Sequence, residues 1–258
     1  MIPKQTRGSF LHDEAGATMT GLVQFLIVLG LLLGLILMGS QLKANANAVM
    51  TISRVKKYDD AVRNFQSSYG ALPGDITNAK ARLPNCNDLP CAAAGNGDTI
   101  VGDRKPLLNT PYYFSDTSEN RTFWLHLAVA KLLNDVKSDG SRSQYFGQWG
   151  IEFPAAPVGV AGGFHIAYYS VTATSYNATS LLGHYMVLRG ATDTYGIGTA
   201  PYSLTAKIAG IIDKKMDDGL PGTGRVVSIG STSCSDAQGQ YNTSAMDRGC
   251  NMLFQLSF

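Results

Sequence analysis

The sequence predicts an α+β protein: one long N-terminal helix packed on a small antiparallel sheet, with additional helices over it. Three observations carry this. Residues 15–42 contain no Asp, Glu, Lys or Arg, and 22–38 are almost pure hydrocarbon. An apolar stripe then continues through Leu42, Val49, Ile52, Val55, Tyr58, Val62, Phe65 and Tyr69, mostly at helical spacings. The second half of the chain is rich in Gly, Ser, Thr and Asn, with short aromatic and β-branched runs between turns.

The helix is expected from about residue 17 to 69, on the order of 80 Å long. No proline interrupts it between Pro3 and Pro73, and Gly70 with Pro73-Gly74 supplies the stop. An apolar run of about 20 residues matches a bilayer core roughly 30 Å thick. Residues 17–42 are therefore read as a transmembrane half, 43–70 as an amphipathic half, and 71–258 as a globular head. Ala44-Asn-Ala46 and Ala46-Asn-Ala48 also resemble the exit sites of cleaved secretory signals, and a plain single-span anchor fits the length equally well.

Along the head, 73–80 reads as a turn leading into a short helical piece, and 84–111 as loop. A second helix is expected over 118–135, with Phe123, Leu127, Ala130 and Leu133 on its core face. His126 sits beside that stripe and reads as a packed or surface histidine, since no partner motif accompanies it. Strands are expected at 164–171, 184–189, 225–229 and 251–258, and a third helix at 204–216.

Taken in order, these segments resemble the type IV pilins and the pseudopilins of type II secretion. The resemblance is carried by the short polar leader ending in Gly16, Ala17 and the apolar run after it, the Gly-spaced segment at 30–42, and the stretches 65–75, 123–133 and 212–226. It covers most of the chain. It implies a leader, 1–16, removed by a prepilin peptidase after Gly16, with Ala17 as the new N-terminus. It also implies a single pass through the inner membrane, an extracytoplasmic head and a periplasmic or surface filament. The implied partners are other pilin or pseudopilin subunits, the peptidase, the inner-membrane assembly platform and membrane lipid. Two positions depart from the family pattern. The first mature residue is usually Phe and here is Ala17; the fifth is usually Glu and here is Gly21. The family's Glu pairs with a neighbouring subunit's N-terminal amine, and Gly21 has no charge for that contact. Gln24 lies on a similar helix face and offers a neutral hydrogen bond instead. Gly30 and Gly34 form a small-xxx-small pair suited to close helix approach in lipid. The departures favour a minor or tip subunit over a major one. The rival reading is a membrane-anchored extracytoplasmic binding domain that never polymerises.

Charge adds little. The net charge is +2 with both signs interspersed, which gives no argument for nucleic acid. Basic residues flank the apolar run on both sides, so charge does not orient it. The four cysteines fall into two local groups, Cys86 with Cys91 and Cys234 with Cys250. Three pairings are available; neighbour pairing is the expectation. Their spacing is wrong for two zinc knuckles, and disulfides place the head in an oxidising compartment.

No hydrolase elbow, zincin helix, P-loop or dinucleotide fingerprint is present, so no enzyme activity is expected. Asp213, Asp217 and Asp218 are the one carboxylate cluster weighed as a cofactor site. Their oxygens suit calcium, a cation that some pseudopilin heads carry in a C-terminal loop. The competing reading is turn chemistry, because Asp218-Gly219 is a strong turn signal and the EF-hand spacing is absent.

Overall fold

The computed structural model describes residues 14–102, 104–105, 118–137, 148–172, 180–190 and 201–257, with the side chains of 14–18, 35–38, 40, 104, 105 and 172 outside that description. Two compact units are present, Met1–Lys43 and Ala44–Phe258.

Helix α1 spans Glu14–Tyr69. In the first unit its described apolar side chains from Met19 to Leu33 are 40–74 % exposed. Among the described residues no helix is long and apolar enough to cross a membrane. The described side chains form an unbroken run over 19–34, sixteen residues, short of the roughly 20 a span requires. The apolar sequence goes on through Met38, and the side chains of 35–38, on which the expected span depends, lie outside the described residues.

From Ala44 onward α1 becomes amphipathic; the expected stripe holds from Val55 to Phe65, whereas Leu42 and Val49 are exposed and Ala44 and Ala48 take the buried face there. Ala44, Ala48, Val55, Tyr58, Val62 and Phe65 are buried. Gly70 ends the helix: it adopts φ +63° and donates its N–H to the Gln66 carbonyl at 2.8 Å. That left-handed conformation is nearly free for glycine and costly for other residues.

Beyond α1 lie α2 (Ala79–Arg82), β1 (Arg104–Lys105), α3 (Glu119–Val129), β2 (Gly163–Thr172), β3 (Ser180–Arg189), β4 (Leu204–Thr205), α4 (Ala206–Met216), β5 (Val226–Gly230) and β6 (Arg248–Gln255). The sheet runs β1-β2-β3-β6, with β5 on the far edge of β6. Cys250 pairs with both Leu204 and Gly230, so β4 continues the β3 edge of β6 while β5 takes the opposite one. All pairings are antiparallel except the two-residue β1 on β2.

The expected α+β class and the antiparallel sheet are present. Four details differ from the sequence expectation. Residues 104–105, read as loop, form β1, and 106–111 lie outside the described residues. The helix expected over 204–216 begins with two strand residues because Leu204 pairs with Cys250. Thr205 then caps α4 by accepting the Ile208 N–H at 3.4 Å. The strand expected over 251–258 is shifted to Arg248–Gln255. The second helix is shorter than 118–135, and it has no solvent face: every residue from Asn120 to Val129 is buried. The stripe through Phe123 and Leu127 therefore marks only part of what this helix buries.

Inside the Ala44–Phe258 unit, Tyr58 of α1 meets Trp124 of α3 edge-on at 5.2 Å and Phe164 of β2 at 5.4 Å. The Tyr58 hydroxyl donates to Asp135 at 2.8 Å, and Lys57 pairs with the same carboxylate at 2.7 Å. Burial pulls the Asp135 carboxyl upward, but the bonds from Lys57 and Tyr58 outweigh it and hold it below the usual range.

Candidate functional site

The residues singled out from sequence fall in three places. Gly16 and Ala17 lie in the first turns of α1, with their side chains outside the described residues. Gly21, Gly30 and Gly34 follow on the same helix. A methyl group added at any of them would have no neighbour within 4 Å. Gln24 is exposed. A helical glycine costs about 1 kcal/mol relative to alanine, and among the described residues nothing packed against these positions offsets that cost.

The cysteines form the two neighbour pairs. Cys86–Cys91 and Cys234–Cys250 are disulfides with Cα separations of 5.2 and 5.0 Å. The second ties the end of a loop to β6, closing a sequence separation of 16. His126 is distant from the cysteines in sequence, yet it comes close to Cys86 and Cys91 in space. Its ring is nevertheless occupied: Nδ1 accepts the Gly74 N–H at 2.9 Å, which leaves Nε2 to donate to the Cys91 carbonyl at 3.0 Å. His126 is thus a buried staple between the turn after α1 and the first disulfide loop. Replacing Cys234 and Cys250 together by serine is expected to cost about 3 kcal/mol, measured as a shift in the urea unfolding midpoint of the oxidised protein.

Asp213, Asp217 and Asp218 come together at the end of α4. Asp213 is buried; its Oδ2 accepts the Tyr241 hydroxyl at 2.7 Å and its Oδ1 the Gly219 N–H at 3.2 Å. Burial pushes its carboxyl up to about 6, a rise the Tyr241 and Gly219 bonds oppose and the neighbouring aspartates reinforce. Burial likewise pushes the Tyr241 hydroxyl upward, and the Asp213 charge adds to this. Asp217 Oδ2 accepts the N–H groups of Arg225 and Val226, the latter at 2.9 Å. Asp218 accepts from Leu220 N–H at 2.8 Å and from the Thr223 hydroxyl.

The arrangement has a definite structural role. Strand β5 lies at the edge of the sheet, and exposed edges invite pairing with other chains. Here the Val226 N–H goes to Asp217, and the Ser228 N–H goes to the Pro221 carbonyl at 2.7 Å. The acidic turn covers the edge. A cation placed among the three carboxylates would compete with these donors for the same oxygens.

Sequence reasoning missed three buried polar groupings. Arg121 of α3 and Glu152 pair at 2.6 Å with side-chain exposures of 3 % and 0 %. Asn120 donates to the Ile166 carbonyl of β2 at 2.9 Å. Asp75 and Glu119, with His184 of β3, hold the loop 95–102 through its backbone N–H groups. The one available signal was Asp75 itself, directly after the Pro-Gly stop of α1.

Comparison with family models, curated proteins and solved structures finds no match to this chain.

Proposed function

We propose that this chain is a structural subunit of a pilus-like or pseudopilus-like filament, cleaved after Gly16 and assembled through its N-terminal helix. The observation that carries this reading is the two-part character of α1. The described side chains of 19–33 are apolar except for Thr20 and Gln24, and the apolar ones are exposed on every face of the helix, whereas from Ala44 onward one face is buried in a globular unit. A helix that is apolar all round requires a nonpolar surrounding. In this reading lipid supplies it before assembly, and the same segments of neighbouring subunits supply it afterwards.

The glycines support the same reading. Gly21, Gly30 and Gly34 each weaken the helix, and a side chain at any of them would meet no other described residue within 4 Å. Close helix–helix approach in lipid is the physical use that offsets such a cost. Without a carboxylate at position 21, the subunit joins filaments at low copy, as a minor or tip component. The head is extracytoplasmic, its partners are other pilin-like subunits, the prepilin peptidase, the assembly platform and membrane lipid, and it carries no enzyme activity. The two disulfides favour an oxidising compartment for the head.

The test is the mature N-terminus together with the location of the protein. Intact-mass analysis is expected to place the first residue at Ala17, and Gly16→Arg is expected to leave the precursor uncleaved. Quantitative proteomics of sheared filaments should find the chain as a minor component. A first residue near Ala46 or Ala48 would restore a cleaved secretory signal and sink the filament reading. Absence from filaments, with retention in the membrane, would favour an anchored binding domain instead.

A further inference from the structure

The loop 95–102 is held by three titratable side chains from three separate elements. Asp75, after α1, accepts the N–H groups of Gly97 at 2.7 Å and Thr99 at 2.9 Å. Glu119 of α3 accepts those of Asn96 at 2.9 Å and Gly102 at 2.7 Å. His184 of β3 accepts the Val101 N–H at its Nε2, at 3.0 Å. Gly102 sits where a side chain cannot: it has φ +77°, and an added methyl would fall 1.8 Å from Asn120 Oδ1.

The two kinds of acceptor respond differently to protons. A carboxyl that gains a proton keeps a carbonyl oxygen able to accept. An imidazole protonated at Nε2 becomes a donor, and here it would face another donor. We propose that His184 makes Val101 an acid-released latch in this loop, while Asp75 keeps 97–99 closed and Glu119 holds Asn96 and Gly102 on either side.

The linkage signs agree with that division. Burial lowers the His184 pKa to about 4, with the Asp98 charge opposing. A histidine so lowered favours the closed loop above its ordinary pKa of about 6.5, and that preference is lost as pH falls towards 4. Burial raises Asp75 and Glu119, partly offset by the N–H bonds they accept. Acidification through their titration therefore favours the closed state and resists release at the amides they hold. Among the described residues, Asp98 lies on the loop itself, and Tyr168 of β2 meets the His184 ring edge-on at 5.0 Å. Arg82 of α2 shares with Asp75, Thr99 and His184 the wall of a cavity of about 450 Å³. Release at Val101 would loosen the loop that forms part of that wall.

The experiment is residue-resolved amide exchange on the full-length protein in detergent micelles, from about pH 7 to about pH 3.5, corrected for intrinsic exchange. Val101 is expected to lose protection at least about tenfold, while Gly97, Thr99 and the β6 amides keep theirs. Release should follow the titration of the His184 ring, read from its Cε1–H resonance in the same samples. His184→Gln retains an acceptor that does not titrate, and it should abolish the pH response. The proposal is overturned if Val101 stays protected while the ring titrates, or if its protection falls equally in His184→Gln. Loss of Val101 protection only together with β6, as in global unfolding, would also overturn it.

Discussion

Replacing Glu152 by alanine is expected to destabilise the Ala44–Phe258 unit by about 3–5 kcal/mol. The reason is the position of Arg121. Its guanidinium is 3 % exposed and meets Glu152 at 2.6 Å in a site closed to water. Removing the carboxylate takes from a buried guanidinium the charge that Glu152 supplies, and that is the costly half of breaking an interior ion pair. Removing both charges is a different experiment. Arg121→Met combined with Glu152→Leu should recover most of the loss, because two well-packed apolar side chains carry no desolvation penalty. Urea unfolding followed by tryptophan fluorescence checks both. If Glu152→Ala alone shifts stability by less than about 1 kcal/mol, the site is wetter than its burial implies.

Trp124→Ala should be comparably severe, about 3–5 kcal/mol. The indole is fully buried and packs edge-on against Tyr58 and Phe123, with centroid distances of 5.2 and 5.0 Å. It joins α3 to the amphipathic half of α1. Trp124→Phe makes the argument sharper. The indole Nε1 is buried with no hydrogen-bond partner among the described residues. An unsatisfied buried donor costs about 1–3 kcal/mol, and phenylalanine removes it while keeping most of the aromatic contact. Trp124→Phe is therefore expected to cost less than about 1.5 kcal/mol despite its smaller volume. Thermal and urea unfolding followed by circular dichroism measure both variants. Equal losses for the two would show that volume alone decides the site.

What the sequence settled about this protein was local. Absence of charge over 15–42, with an apolar stripe after it, was enough for one long helix, because helical periodicity is a property of neighbours along the chain. Gly70 and the Pro-Gly pair marked its end for the same reason. The strand cores at 164–171 and 184–189 were legible from their aromatic and branched residues. Neighbour pairing of the cysteines was an expectation among three possible pairings, and the fold decided it. The turn reading of Asp217 and Asp218 was available from Asp-Gly alone.

What only the tertiary structure decided was which polar groups meet. Helix α3 is buried on every face, so the core stripe through Phe123 and Leu127 marks only part of what it buries, and nothing in the sequence pairs Arg121 with Glu152, 31 residues on. His126 finds Gly74 across 52 residues, and His184 finds Val101 across 83. The edge-covering role of Asp217 depends on where β5 lies in the sheet. Hydrogen-bond acceptors have no periodicity, and a side chain's charge in the sequence does not say whether its partner will be water or a backbone N–H brought from elsewhere in the fold. Burial makes that choice, and burial is set only when the chain has closed on itself.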